Sequence, residues 1–188
     1  MRIGTLVSID WNQIDNIKTT YLWTVFLLLQ VPVFLVGRKA SPSKDLLIEG
    51  GKYKRPLPAL EMDPDGREIL FKHWGEDTKS QLRRALYWDF LFIPLYVSSG
   101  FIACFMASQD LGGSEILRLA FLLTIPAAGV FDIVENLIML RVIKGKTSDV
   151  LVRIARVSTF CKFALIGVGL IYVLVGVLSW FCVKCLRH

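Results

Sequence analysis

Pro126-Ala127-Ala128-Gly129-Val130-Phe131-Asp132-Ile133-Val134-Glu135-Asn136-Leu137-Ile138-Met139-Leu140 decides the fold. It carries two carboxylates and an amide inside a segment apolar enough to lie in a bilayer. Ionisable side chains at that depth are expensive, so they face a partner or a wet cavity rather than lipid. Asp132, Glu135, Asn136 and Met139 stand at i, i+3, i+4 and i+7, which is one stripe of a helix. Pro126 lies six residues before Asp132 and permits a kink above that stripe. The nearest cation in another apolar segment is Lys162.

Composition agrees with a membrane setting. Of the 188 residues 54% are hydrophobic, and the mean hydropathy is +0.52, more apolar than soluble domains of this size. There is room for one membrane domain and one modest loop. The net charge of +6 does not point to nucleic acid, because no basic helix or aromatic-basic motif stands apart from the apolar segments. Lys and Arg beside such segments set topology and meet anionic headgroups.

Four apolar runs are expected to span, at about 19–37, 85–107, 115–140 and 158–183. The first is long enough to cross a bilayer. It begins late, lacks a basic leading region and has no clear small-x-small site before Arg38, so it reads as a retained helix rather than a signal peptide. Tyr21 and Trp23 suit an interface belt at its start, and Trp88 and Trp180 suit the same role elsewhere. Gln30 and Pro32 fall in its second half. Residues 38–84 form one polar segment of about 45 residues with dense turn signals, above all Asp63-Pro64-Asp65-Gly66. His73 and Trp74 lie there and read as exposed loop residues, and from about Asp77 the segment reads helical, with Lys79, Arg83 and Arg84 leading into the second run. The second run carries Asp89, Ile93 and Tyr96 at i, i+4 and i+7, on one face. Ser108 to Ser114, with its diglycine, suits a tight turn between antiparallel helices. The fourth run holds Lys162 and the small residues Gly167, Gly169 and Gly176, which allow close helix contact.

The expected fold is therefore an all-α integral membrane protein, a four-transmembrane-helix bundle in a single membrane domain. Eleven Lys and Arg lie in segment 38–84 and five in the basic link 141–157, against five on the opposite side. The bias places those two segments in the cytoplasm and both termini outside, in a plasma or inner membrane. In that orientation Asp89, Lys162, Glu135, Asp132 and Gln30 fall in one layer of the cytoplasmic half, the two third-run acids about 9–14 Å from Arg141 at 1.5 Å per residue.

The expected site is Asp89, Tyr96, Asp132, Glu135, Asn136 and Lys162. If Lys162 neutralises one carboxylate, the other two need a proton, a metal or a cationic ligand. An all-oxygen set suits Mg²⁺, Mn²⁺ or Ca²⁺, with Asp132 and Glu135 as ligands, better than zinc. The leading functional expectation is binding of an ion, a proton or a lipid-type headgroup, for transport or sensing. The competing expectation is a structural or accessory subunit whose cluster only fixes helix packing, with a membrane-protein partner or a second copy of the chain. Catalysis is less favoured: no motif supplies a nucleophile or names a cofactor, and Tyr96 is the one nearby hydroxyl. A lesser alternative is thiol–disulfide redox chemistry at Cys182 and Cys185, whose Cys-x-x-Cys spacing is that of dithiol motifs, with Cys104 at the same end. Cys161 reads as a small packing residue.

Overall fold

A computed structural model describes residues 19–40, 75–111, 114–146 and 148–186. They form four helices: α1 (Thr19–Ala40), α2 (Glu76–Leu111), α3 (Glu115–Ile143) and α4 (Asp149–Leu186). All four are long and apolar enough to cross a membrane. The turn signals of the polar segment, His73 and Trp74 lie outside the described residues, as does the Cys185 side chain.

All four helices run further than the apolar runs suggest, α2 and α4 the most. α2 starts nine residues before Ala85 and continues through Ser108 to Leu111, so the connection to α3 is only residues 112–114. α4 starts nine residues before Ser158, so Arg153 and Arg156 sit on a helix and the basic link shrinks to residues 144–148. The reason is packing. The added turns are amphipathic, and their inward positions Leu82, Val152 and Ala155 bury with Leu86 against Ile138, Met139, Val142 and Ile143. Burial of that apolar face continues the helix where hydropathy has already fallen.

Local chemistry marks the helix ends. Ser114 caps α3, its Oγ accepting the Leu117 amide at 3.4 Å. Ser148 does the same for α4, accepting from the Leu151 amide at 3.3 Å. Such caps satisfy amides that have no partner within the helix. Glu76 opens α2, and the hydrogen bond from Lys79 at 2.8 Å, with the charge of that ammonium, holds its carboxyl below the usual range. Between α3 and α4 the chain reverses at Gly145, whose φ of +75° lies where a side chain would be strained. The prolines Pro32, Pro94 and Pro126 all sit inside unbroken helices.

α2 is the central element, packed against α1, α3 and α4, and α3 also packs on α4. Two apolar clusters form the interior. The lower one is that of Leu82 and Val142 already described. The upper one joins Cys104, Phe105 and Ala107 of α2, Leu122 and Ile125 of α3, and Tyr172 of α4. Tyr172 stacks on Phe121 with ring centres 4.1 Å apart. α1 is an annex. Its Gln30 donates to Ser99 Oγ at 2.7 Å and to the Phe26 carbonyl at 3.0 Å, and a Cβ on Gly37 would stand 3.0 Å from the Phe92 ring. Gln30 was expected in the carboxylate layer, but it points to Ser99 instead. Depth along the axis does not fix which way a side chain faces.

Glycines set the separation of α2 and α4. A Cβ on Gly176 would meet Ala107 Cβ at 2.6 Å and its backbone Cα at 2.9 Å, whereas one on Gly167 would meet nothing within 4 Å. Gly176→Ala is therefore expected to push α4 off α2 and cost about 1–3 kcal/mol, as overpacking does. Gly167→Ala is expected to be neutral or stabilising by up to about 1 kcal/mol through helix propensity. Unfolding of the two variants in detergent checks the contrast, and equal effects would contradict it.

Candidate functional site

The polar stripe of α3 faces inward. Asp132, Glu135 and Asn136 are 5%, 7% and 3% exposed, and Ala128 and Met139 continue the buried face above and below. Lys162 reaches across from α4. Its Nζ stands 2.8 Å from Asp132 Oδ1 and 2.7 Å from Glu135 Oε2, so one ammonium bridges two carboxylates. The two acids are three residues apart on α3, close enough on its surface to share one cation.

α2 completes the site from the other side. The Tyr96 hydroxyl donates to Asp132 Oδ2 at 3.0 Å, so Asp132 receives a proton donor at each oxygen. Two turns below Tyr96 on α2, past the buried Ile93, Asp89 Oδ2 accepts from the Asn136 amide at 2.6 Å. All six expected residues are thus brought together, by three helices rather than four. Phe92 lies against Tyr96, ring centres 5.3 Å apart, and limits the tyrosine's freedom on the α1 side.

Gly129 was not expected in the site. It precedes Asp132 by three residues on the same face, and a Cβ there would meet Val97 Cγ2 at 2.6 Å and approach the Tyr96 hydroxyl to 3.9 Å. Its bare backbone lets α2 come near enough for the Tyr96–Asp132 bond. The available signal was a small residue one turn from an acid on the stripe, and that pattern is too common in apolar helices to be diagnostic.

The charge inventory is uneven. Three carboxylates meet one ammonium, and the ammonium is committed to Asp132 and Glu135. Among the described residues Asp89 forms no ion pair: it is hydrogen-bonded to the neutral Asn136 amide, and Lys162 acts on it only from beyond contact distance. It is half-buried, and so less enclosed than Asp132 and Glu135. No group of three or more His, Cys, Asp or Glu among the described residues is placed to hold a metal ion. What the arrangement can do is hold a small positively charged or proton-donating group against Asp89, with Asn136 fixing the carboxylate's orientation.

The sulfur constellation is scattered. Cys104 is buried in the upper cluster, its Sγ 4.0 Å from the Gly169 carbonyl. Cys182 is exposed at the far end of α4, Cys161 is half-buried, and none of these three is in a disulfide.

The chain was compared with family models, curated proteins and solved structures, and none matches. The functional reading therefore rests on the site itself.

The double bridge changes what a charge-removal experiment reads. Lys162→Met strands two buried carboxylates and is expected to cost about 3–5 kcal/mol or more. Adding Glu135→Gln leaves Asp132 without its cation and restores only part. The triple variant with Asp132→Asn and Glu135→Gln is expected to recover most of the loss. Detergent unfolding of the three variants decides; full recovery in the double variant would mean that Asp132 does not depend on Lys162.

Proposed function

We propose that this chain is an integral membrane protein whose four helices cross the bilayer and whose inner polar site takes a cation, a proton or the cationic group of a lipid-type headgroup at Asp89, for transport or sensing. The observation that carries the reading is the uneven charge inventory. Lys162 is shared between Asp132 and Glu135, and Asp89 is held by a neutral amide. A carboxylate within a membrane bundle is balanced by a proton, an ion or a cationic group. Asp132, Glu135, Lys162 and Tyr96 form the fixed frame, and Asp89 with Asn136 forms the side that receives the ligand.

A second reading has its own support. The contacts of 2.7 and 2.8 Å from Lys162 tie α3 to α4, and polar contacts of this kind hold membrane helices in register. On that view the protein is a structural or accessory subunit. Asp89 separates the two, because a register lock has no use for an acid that has no paired cation among the described residues.

The ligand reading makes Asp89→Asn informative. An Asn side chain can still accept from Asn136, so the variant is expected to be as stable as the parent, or more stable, in the absence of ligand. Stability conceded at a site is a mark of function. The parent in detergent is expected to be stabilised by one of a panel of protons, alkali cations, Mg²⁺ and ethanolamine, by about 2.7 kcal/mol at one hundred times the dissociation constant. Asp89→Asn is expected to lose that response. A panel that leaves parent and variant unfolding together refutes the ligand reading and leaves the register lock.

The proposed orientation puts the polar segment 38–84 and the α3–α4 turn in the cytoplasm and both termini outside, as the distribution of Lys and Arg favours. Cys182, exposed at the far end of α4, then faces outward. With the other three cysteines replaced by Ser, Cys182 is expected to react with a membrane-impermeant maleimide in intact cells. Labelling only in inside-out vesicles would reverse the orientation.

A further inference from the structure

The basic residues at one end of the bundle form a level, not a scatter. Buried Leu82 and Leu86 of α2, Val142 of α3 and Val152 of α4 meet in the lower apolar cluster, so they share one height. Exposed cations adjoin them in sequence: Arg83 and Arg84 on α2, Arg141 on α3 and Arg153 on α4. Lys144 and Lys146 continue the level through the α3–α4 turn, both exposed. On α1, Arg38 and Lys39 end the helix, and the Lys39 ammonium lies 4.5 Å from the centre of the Trp88 ring.

Each cation stands at the foot of an exposed apolar stripe. Tyr87 and Leu91 lie above Arg83 and Arg84, Leu137 above Arg141, and Val157 and Phe160 above Arg153. The opposite end has no such level among the described residues. There Arg118 donates to Ser108 Oγ at 3.0 Å and lies against Phe105.

Resting on the membrane reading above, we infer that this ring is a binding surface for an anionic lipid leaflet, with acyl chains against the stripes and phosphate headgroups at the cations. The placement selects a leaflet over a soluble macromolecule. The exposed cations of α2, α3 and α4 adjoin the exposed apolar residues of the same helices, so a soluble partner docking on them would have to displace lipid. Clusters of Lys and Arg beside a membrane helix draw anionic headgroups, and the attraction falls off within a Debye length.

The test uses the full chain in bilayers of mixed phosphatidylcholine and phosphatidylglycerol. Lipids retained after mild detergent extraction are quantified by mass spectrometry. The parent is expected to retain phosphatidylglycerol above its share of the bilayer, and high salt during extraction is expected to remove that excess. Arg83→Gln/Arg84→Gln/Lys144→Gln/Lys146→Gln is expected to lose most of the excess. Its unfolding in pure phosphatidylcholine should match the parent, because these side chains are exposed. Retention in proportion to the bilayer composition by the parent, or an undiminished excess in the fourfold variant, overturns the inference. Failure of the parent to float with the vesicles would instead overturn the membrane reading beneath it.

Discussion

The shared cation at Lys162 is the constraint on which the arrangement of α2, α3 and α4 depends. Two carboxylates on one face of α3 cannot be buried against apolar neighbours without a positive charge between them, since an unpaired charge in a low-dielectric interior costs several kcal/mol. Lys162 supplies it from α4, at 2.8 Å to Asp132 and 2.7 Å to Glu135. A register shift of one residue would rotate Lys162 by about 100° around its helix, away from both. The polar contacts then pass outward in order: Lys162 to Asp132, Asp132 to Tyr96, and, one turn lower, Asn136 to Asp89. α1 takes no part in this sequence and is held to α2 by Gln30, Gly37 and Lys39.

The apolar clusters above and below give the polar layer its character. With Leu122, Ile125 and Phe105 on one side and Leu86, Met139 and Val142 on the other, the layer is closed along the bundle axis. Hydrogen bonds in such surroundings are stronger than in water, and an unmet polar group is correspondingly costly. This is why Asp132, with a donor to each oxygen, reads as frame, while Asp89, half-buried and without a paired cation among the described residues, reads as the open side.

Most of the site was legible because its signal is periodic. Spacings of three, four and seven residues assign Asp132, Glu135 and Asn136 to one face of α3, and Asp89 and Tyr96 to one face of α2, without any tertiary information. What was not legible depends on azimuth and on side-chain reach. Gln30 matches the carboxylates in depth, but its helix presents it to Ser99. Lys162 has a long stem that can serve one acid or two, and sequence alone does not choose. The start of α4 was misjudged for another reason, whereas the start of α2 was read within one residue from its helical pattern. A hydropathy run reports the apolar lateral surface, whereas a helix continues as long as its inner face is buried, as Leu82 and Val152 show.

The distribution of charge along the axis follows from the same patterning. Cations are plentiful at the lower end, and Arg141 is only six residues from Glu135, about 9 Å along the helix. Yet no described residue there pairs with Asp89. The members of the lower cluster are apolar, and Arg83, Arg84, Arg141 and Arg153 beside them are exposed, while Arg156 is half-buried with its Nε enclosed. An arginine would have to thread its guanidinium through that packed layer to reach Asp89, losing hydration on the way. The apolar cluster therefore separates Asp89 from those four exposed arginines. The deficit at Asp89 does not reflect a shortage of positive charge in the chain. It follows from apolar and basic residues alternating around one level of the bundle, so the same few turns that present basic residues outward leave Asp89 without a paired cation among the described residues.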